Sequence, residues 1–125
     1  MIEFRQSVNQ ESAVLIGIID GKTRKREAQE HLDELAFLAR TAGATPVEQF
    51  QQRVNKPNPK TLVGQGKLEE IQAFMLENSI KLAIFDDELS PSQFKNIENL
   101  LDCKVLDRTN LILDIFSKRA KTAQA

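Results

Sequence analysis

The chain has 125 residues, of which 28% are charged, a formal net charge of -1 and a single cysteine. This length allows one domain of ordinary size, and the near-neutral charge argues against a uniformly basic nucleic-acid-binding protein. One cysteine excludes an intrachain disulfide and a metal site made of cysteine pairs. The N-terminus lacks the apolar run of a signal peptide, and no segment approaches the roughly 20 apolar residues that span a bilayer, so we expect a cytoplasmic protein.

The first half of the chain alternates strand and helix patterns. A continuous apolar, largely β-branched run at residues 13–19 predicts a buried central strand that ends in an Asp-Gly turn. Apolar residues at helical spacing predict a helix over about residues 28–42, with Gly43 as its C-terminal cap. Alternating polar and apolar residues at 49–54 predict a half-exposed strand near a sheet edge, and the two prolines within residues 55–59 predict a surface loop.

The second half continues this alternation. A helix is predicted to follow the Gly-Gln-Gly-Lys sequence at residues 64–67 and to end near Asn78. Four apolar residues at 82–85 then predict a strand buried on both faces. Ser90 is predicted to cap the next helix, with Gln93 closing a capping box.

The order of these elements predicts the fold class. A further strand at residues 104–107 and a last helical pattern complete the series. We therefore expect an α/β fold with a small, mostly parallel four-stranded sheet, flanking helices and right-handed crossovers. The predicted organisation is a tail or short extra strand at 1–12, an α/β domain at 13–109, and the start of a helical linker at 110–125.

The polar loops that follow the predicted strands should gather at one edge of the sheet, which we call the rim. Ligands of open α/β sheets bind at this edge. Before the second helix, Gly64, Gly66 and Lys67 could present backbone N–H groups to an anion. The spacing does not match a P-loop, because one residue separates the glycines and Leu68 follows the lysine. A tight turn and contact with a nucleic-acid phosphate are the alternatives.

Carboxylates dominate another part of the rim. Asp86, Asp87 and Glu88, which we call the acidic loop, are weak candidates for nucleotide or metal binding, since hard cations prefer carboxylate oxygen. Acidic residues are also favoured near a helix N-terminus for electrostatic reasons alone. Asp107 and Arg108 allow either a local ion pair or an arginine contact with RNA phosphate. No catalytic residue and no metal site are predicted.

Basic residues are concentrated near the predicted first helix and at the end of the chain. Such clusters are most often solvated, but they also attract nucleic-acid phosphates in a salt-sensitive, sequence-independent way. His31 should face solvent. The candidate phosphate-binding residues are Lys22, Arg24, Lys25, Arg26, Gly64, Gly66, Lys67, Arg108, Lys118 and Arg119.

Six sequence motifs together closely resemble the N-terminal domain of the HflX-type GTPases. The resemblance covers the chain from about residue 13 onward. It implies an α/β domain that precedes a helical linker and a GTPase domain, in a protein that splits or rescues stalled ribosomes. The motifs lie at residues 32–35, 39–44, 63–70, 85–93, 105–109 and 111–120.

The resemblance also implies partners and cofactors. The expected partners are the large ribosomal subunit with its rRNA and the protein's own GTPase domain, and we expect a monomer. No GTPase motif is present in this sequence, so we expect no enzymatic activity in it, whereas the full-length protein would be a GTPase that uses GTP and magnesium. Two alternatives remain: ATP or GTP binding by residues 64–67 with Asp86 and Asp87, or regulation of the GTPase domain within one chain.

Overall fold

The computed structural model describes residues 10–22 and 24–124, with side chains described as far as residue 118. Most of the predicted N-terminal tail, residues 1–9, therefore lies outside the described residues. In the part of the chain that the structure describes, four strands alternate with four helices. The elements are β1 (Ser12–Ile19), α1 (Lys25–Thr41), β2 (Thr45–Arg53), α2 (Gln65–Glu77), β3 (Leu82–Phe85), α3 (Pro91–Leu101), β4 (Lys104–Asp107) and α4 (Arg108–Gln124).

The strands form one sheet in the order β2-β1-β3-β4, and every neighbouring pair is parallel. The predicted α/β class and four-stranded sheet are confirmed, and the sheet is wholly parallel. β1 is central, and its residues 13–16 are fully buried. β2 lies at an edge, where only Phe50 is buried.

Successive residues of β1 point to opposite faces of the sheet and so contribute to two separate cores. Val14 and Ile16 belong to the core formed with α2 and α3. Ala13 and Leu15 belong to the core formed with α1 and α4. Helices thus cover both faces of the sheet, which explains why its central strands are continuous apolar runs.

Four elements begin earlier than predicted, and one of them is α2, which begins at Gln65 inside the Gly-Gln-Gly-Lys segment. α1 begins at Lys25, because exposed lysine and arginine are good helix formers although they add nothing to the apolar pattern. β2 begins at Thr45, although a proline and exposed residues interrupt the polar–apolar alternation there. These residues form a strand because they pair with β1. α4 begins at Arg108, because Asp107 caps it: the Asn110 N–H donates to Asp107 Oδ1 at 2.9 Å.

The direction of the strands determines where the helices begin. Since all four strands are parallel and each is followed by a helix, all four helix N-termini lie at the carboxyl edge of the sheet. The strand order reverses between β1 and β3, so the loops after these two strands flank the crevice where such sheets usually bind ligands. Within the described residues, no helix is long and apolar enough to cross a membrane.

Candidate functional site

The basic cluster, defined as Lys22, Arg24, Lys25 and Arg26, lies between the end of β1 and the first turn of α1. All four residues are exposed. The Lys22 N–H donates to Asp20 Oδ1 at 2.9 Å, which shapes the loop through its backbone and leaves the lysine side chain outside that contact. Arg26 lies 3.9 Å from Glu30, an exposed pair that contributes little. The cluster therefore presents positive charge to solvent at the rim.

The start of α1 adds to this positive potential. Arg24 is the N-cap residue and makes no side-chain capping hydrogen bond. The first backbone N–H groups of a helix lack intrahelical partners and carry partial positive charge. An anion near the basic cluster would therefore meet both side-chain cations and helix N–H groups.

Arg108 occupies a different position, because its guanidinium makes several contacts within the protein. It forms an ion pair with Asp86, in which Arg108 Nε donates to Asp86 Oδ1 at 3.0 Å. It also donates to Glu34 Oε1 at 3.4 Å and to the His31 carbonyl at 3.0 Å. Arg108 thus pairs across elements, with α1 and the loop after β3, and its side chain keeps 26% exposure.

The acidic loop is held close to the ends of two strands. The Asp86 N–H donates to the Ile16 carbonyl of β1 at 2.8 Å. Burial raises the pKa of Asp87 above its ordinary value, and the negative charges of Asp86 and Asp20 raise that pKa further. In the described part of the chain, no group of three or more His, Cys, Asp or Glu side chains is arranged to hold a metal ion.

Asp107 joins the start of α4 to the far end of the acidic loop. Its carboxyl group is buried, and its Oδ2 accepts a hydrogen bond from the Leu89 N–H at 2.9 Å while Oδ1 caps α4. Asp107 and Arg108 therefore contact both ends of the segment from Asp86 to Leu89. This structural role was missed, although an aspartate directly before a helical pattern is a recognisable N-cap signal.

The Gly-Gln-Gly-Lys segment forms an ordinary helix start. Gly64 is the N-cap of α2, and its N–H donates to Gln52 Oε1 at 2.8 Å. Gly64 and Gly66 do not have the positive φ angle that favours glycine in phosphate-binding loops. Lys67 pairs with Glu70 of its own helix at 3.1 Å. These contacts favour the tight-turn interpretation over a nucleotide-phosphate loop.

The C-terminal basic candidates lie away from the basic cluster. Lys118 Nζ donates to the Ala42 carbonyl near the end of α1, so this lysine joins α4 to α1. The side chain of Arg119 lies outside the described residues. His31 is exposed, as predicted, and only its backbone carbonyl contacts Arg108. A cavity between α1 and β2 contains none of the candidate residues.

Comparison with known protein families provides evidence that does not depend on the contacts described above. A family profile described as "GTP-binding GTPase N-terminal" matches residues 29–117. This range covers more than half of the chain, including the acidic loop and all four helices in part or whole.

Two curated relatives illustrate the sequence similarity. GTPase HflX of Flavobacterium psychrophilum is 50% identical over 121 residues, which make up 97% of this chain and 29% of that protein. GTPase HflX of Escherichia coli K12 is 38% identical over 112 residues, or 90% of this chain and 26% of that protein. The chain thus spans less than a third of the length of these relatives.

Solved structures share the fold. The complex of SsGBP with GDP superposes with a TM-score of 0.67 and 26% identity, over 86% of this chain and 29% of that chain. A GTP-binding protein from Sulfolobus solfataricus in complex with GDP gives a TM-score of 0.63 at 24% identity, over 86% of this chain and 30% of that one. The second similarity concerns the fold alone.

Proposed function

Because the chain belongs to the HflX family of GTPases, as its N-terminal domain, we propose that it binds the large ribosomal subunit through rRNA phosphates. The observation that carries this proposal is the exposed basic cluster at the start of α1. Phosphate contacts by lysine and arginine provide most of the affinity of sequence-independent RNA binding. The net charge of -1 does not oppose it, because the positive charge is local.

The structure favours the basic cluster over the other candidates for first contact with RNA. Arg108, Lys67 and Lys118 each have a partner within the protein. An RNA phosphate would have to displace these partners, whereas Lys22, Arg24 and Lys25 are exposed to solvent and Arg26 makes one exposed pair, 3.9 Å from Glu30, that contributes little. Gly64 and Gly66 contribute only backbone groups at the start of α2.

The role of the complete protein is part of the same proposal. The curated relatives are named GTPase HflX and are more than three times as long as the segment matched here. We infer that α4 continues into a helical linker and that a GTPase domain, using GTP and magnesium, follows it. In this account the complete protein acts in the cytoplasm to split or rescue stalled ribosomes, with this domain as a ribosome contact.

Binding to isolated ribosomal subunits across a salt series tests the proposal. We expect saturable binding to large subunits at low salt, with affinity that falls linearly on a log–log plot as salt rises, because counterions are released from RNA. Small subunits serve as the control for nonspecific RNA attraction. Absence of saturable binding at low salt, or affinity that does not depend on salt, would contradict the proposal.

A further inference from the structure

Arg108 is the cation at the centre of an acidic region of the rim. Asp86 is its closest partner, and the side chain of Asp86 is only 15% exposed. Asp20 and Asp87 lie close enough that their charges interact, since both Asp86 and Asp20 raise the pKa of Asp87. Two neighbours, His31 and Arg108, act in the opposite direction and lower that pKa. Removing Arg108 from Asp86 would therefore leave several carboxylates in mutual repulsion.

The same side chain is connected mechanically to α4. Arg108 is the first residue of this helix and holds Asp86, while the neighbouring Asp107 holds the Leu89 N–H. The segment from Asp86 to Leu89 is thus attached at both ends to the junction of β4 and α4. A displacement of this segment would directly disturb the contacts that hold the first turn of α4.

Arg108 also lies within reach of RNA bound at the basic cluster. Its α1 partners are His31 and Glu34, and Glu34 follows Arg26 by eight residues. At 1.5 Å per residue, this separation is roughly 12 Å along the helix axis, a span of a few nucleotides. The guanidinium retains 26% exposure, and a phosphate offers it two acceptor oxygens in place of a carboxylate.

We propose that Arg108 is an exchangeable counter-ion: RNA at the rim takes it from Asp86, which releases the acidic loop and loosens the first turn of α4. This inference rests on the proposed rRNA contact. RNA gains a strong phosphate contact only in the released state, which gives the difference in affinity that a conformational shift requires. The carboxylate repulsion left behind favours movement of the acidic loop into solvent.

The variant Asp86→Asn tests the exchange directly. It keeps the shape of the side chain but removes the charge that competes with RNA for Arg108. We expect Asp86→Asn to bind large subunits roughly two- to fivefold more tightly with a salt dependence close to that of the wild type, because the same phosphate contact forms in both proteins but the variant has no ion pair to break. Glu88→Gln is the matched control: it removes the same charge from an exposed position in the acidic loop, and its affinity for large subunits should stay close to the wild-type value.

If Asp86→Asn binds more weakly than wild type, or behaves like Glu88→Gln, Arg108 has only a structural role and the inference is overturned. Hydrogen exchange on the wild-type protein provides a second readout that does not depend on the folding of any variant. Saturation with large subunits should speed exchange of the amides of residues 110–114 roughly three- to tenfold. Binding with unchanged or slower exchange there overturns the coupling, whereas absence of wild-type binding overturns the proposed function itself.

Discussion

The carboxyl group of Asp87 lies half-buried at the end of β3, near the carboxylates of Asp86 and Asp20. Burial is the main cause that raises its pKa above 3.8, and the two neighbouring charges add to it. The folded protein therefore retains this proton over a pH range in which the unfolded chain has lost it. Stability must fall as pH rises through that range, because ionisation is disfavoured in the fold.

The variant Asp87→Asn removes the free-energy cost of ionising Asp87 in the folded protein. We expect it to raise the free energy of unfolding at pH 7 by about 0.5–1 kcal/mol, the usual gain from relieving an unfavourable charge. At about pH 3, where Asp87 is protonated in both states, the gain should vanish. Urea unfolding at the two pH values measures both quantities. An equal gain in the free energy of unfolding at both pH values, or destabilisation at pH 7, would show that ionised Asp87 does not destabilise the fold.

Cys103 gives a second test at the level of one residue. Burial, followed by the charges of Glu98 and Asp102, raises the pKa of its thiol from 9.0 to about 12. Only the thiolate is nucleophilic, so alkylation by iodoacetamide at pH 8 should be roughly a thousandfold slower in the folded protein than in guanidinium chloride. Comparable rates in the two conditions would contradict the structure around Cys103.

Side-chain contacts between residues far apart in the chain were the hardest part to predict from the sequence. The partners of Arg108 lie 22 and 74 residues away in the chain, at Asp86 and Glu34, and only the fold brings them together. Lys118 likewise reaches Ala42, 76 residues away. By contrast, the exposure of His31 followed from its position on α1, because helical periodicity is local.

At the level of elements, α3 has the most completely specified N-terminus. The Ser90 hydroxyl accepts from the Gln93 N–H at 3.2 Å, and the Gln93 side chain accepts from the Ser90 N–H at 2.9 Å. Pro91 occupies the first turn. This reciprocal pair is the predicted capping box. It positions α3, and with it the acidic loop that precedes Ser90.

Ser90→Ala should lower the free energy of unfolding by about 1 kcal/mol, the typical cost of removing an N-cap. Ser92→Ala is the matched control, since Ser92 is an exposed serine in the same turn and does not cap the helix. Its effect should remain within about 0.5 kcal/mol. Chemical unfolding of both variants measures the difference, and equal effects would argue against the capping role of Ser90.

Elements with strong local signals were predictable, and those that depend on pairing were less so. The strand Leu82–Phe85 and the end of α2 near Asn78 match the sequence pattern, because continuous apolar runs and helix caps are local features. The first half of β2 was missed, because an edge strand with exposed residues and Pro46 forms through its partner β1. The start of α4 was missed because Asp107 serves as both strand end and helix cap.

At the level of the whole molecule, the parallel sheet collects charged and polar groups at one edge, although the net charge of the chain is only -1. All four helix N-termini and the polar loops share the rim, while Arg40 and Lys81 lie at the opposite edge. The rim itself is divided between the basic cluster and the acidic loop, with Arg108 between them. For the proposed rRNA contact, the local charge of the rim therefore matters more than the net charge of the chain.

The most direct test of the proposed rRNA contact compares two variants that lose the same charge from opposite edges of the sheet. Arg24→Gln with Lys25→Gln removes two positive charges from the basic cluster, and Arg40→Gln with Lys81→Gln removes two exposed charges from the other edge. When large-subunit binding is measured over a series of salt concentrations, we expect the first variant to reduce the slope of log affinity against log salt by roughly two, about one per lost phosphate contact. The second variant should leave this slope unchanged. Equal slopes for the two variants would contradict the assignment of the rRNA contact to the basic cluster.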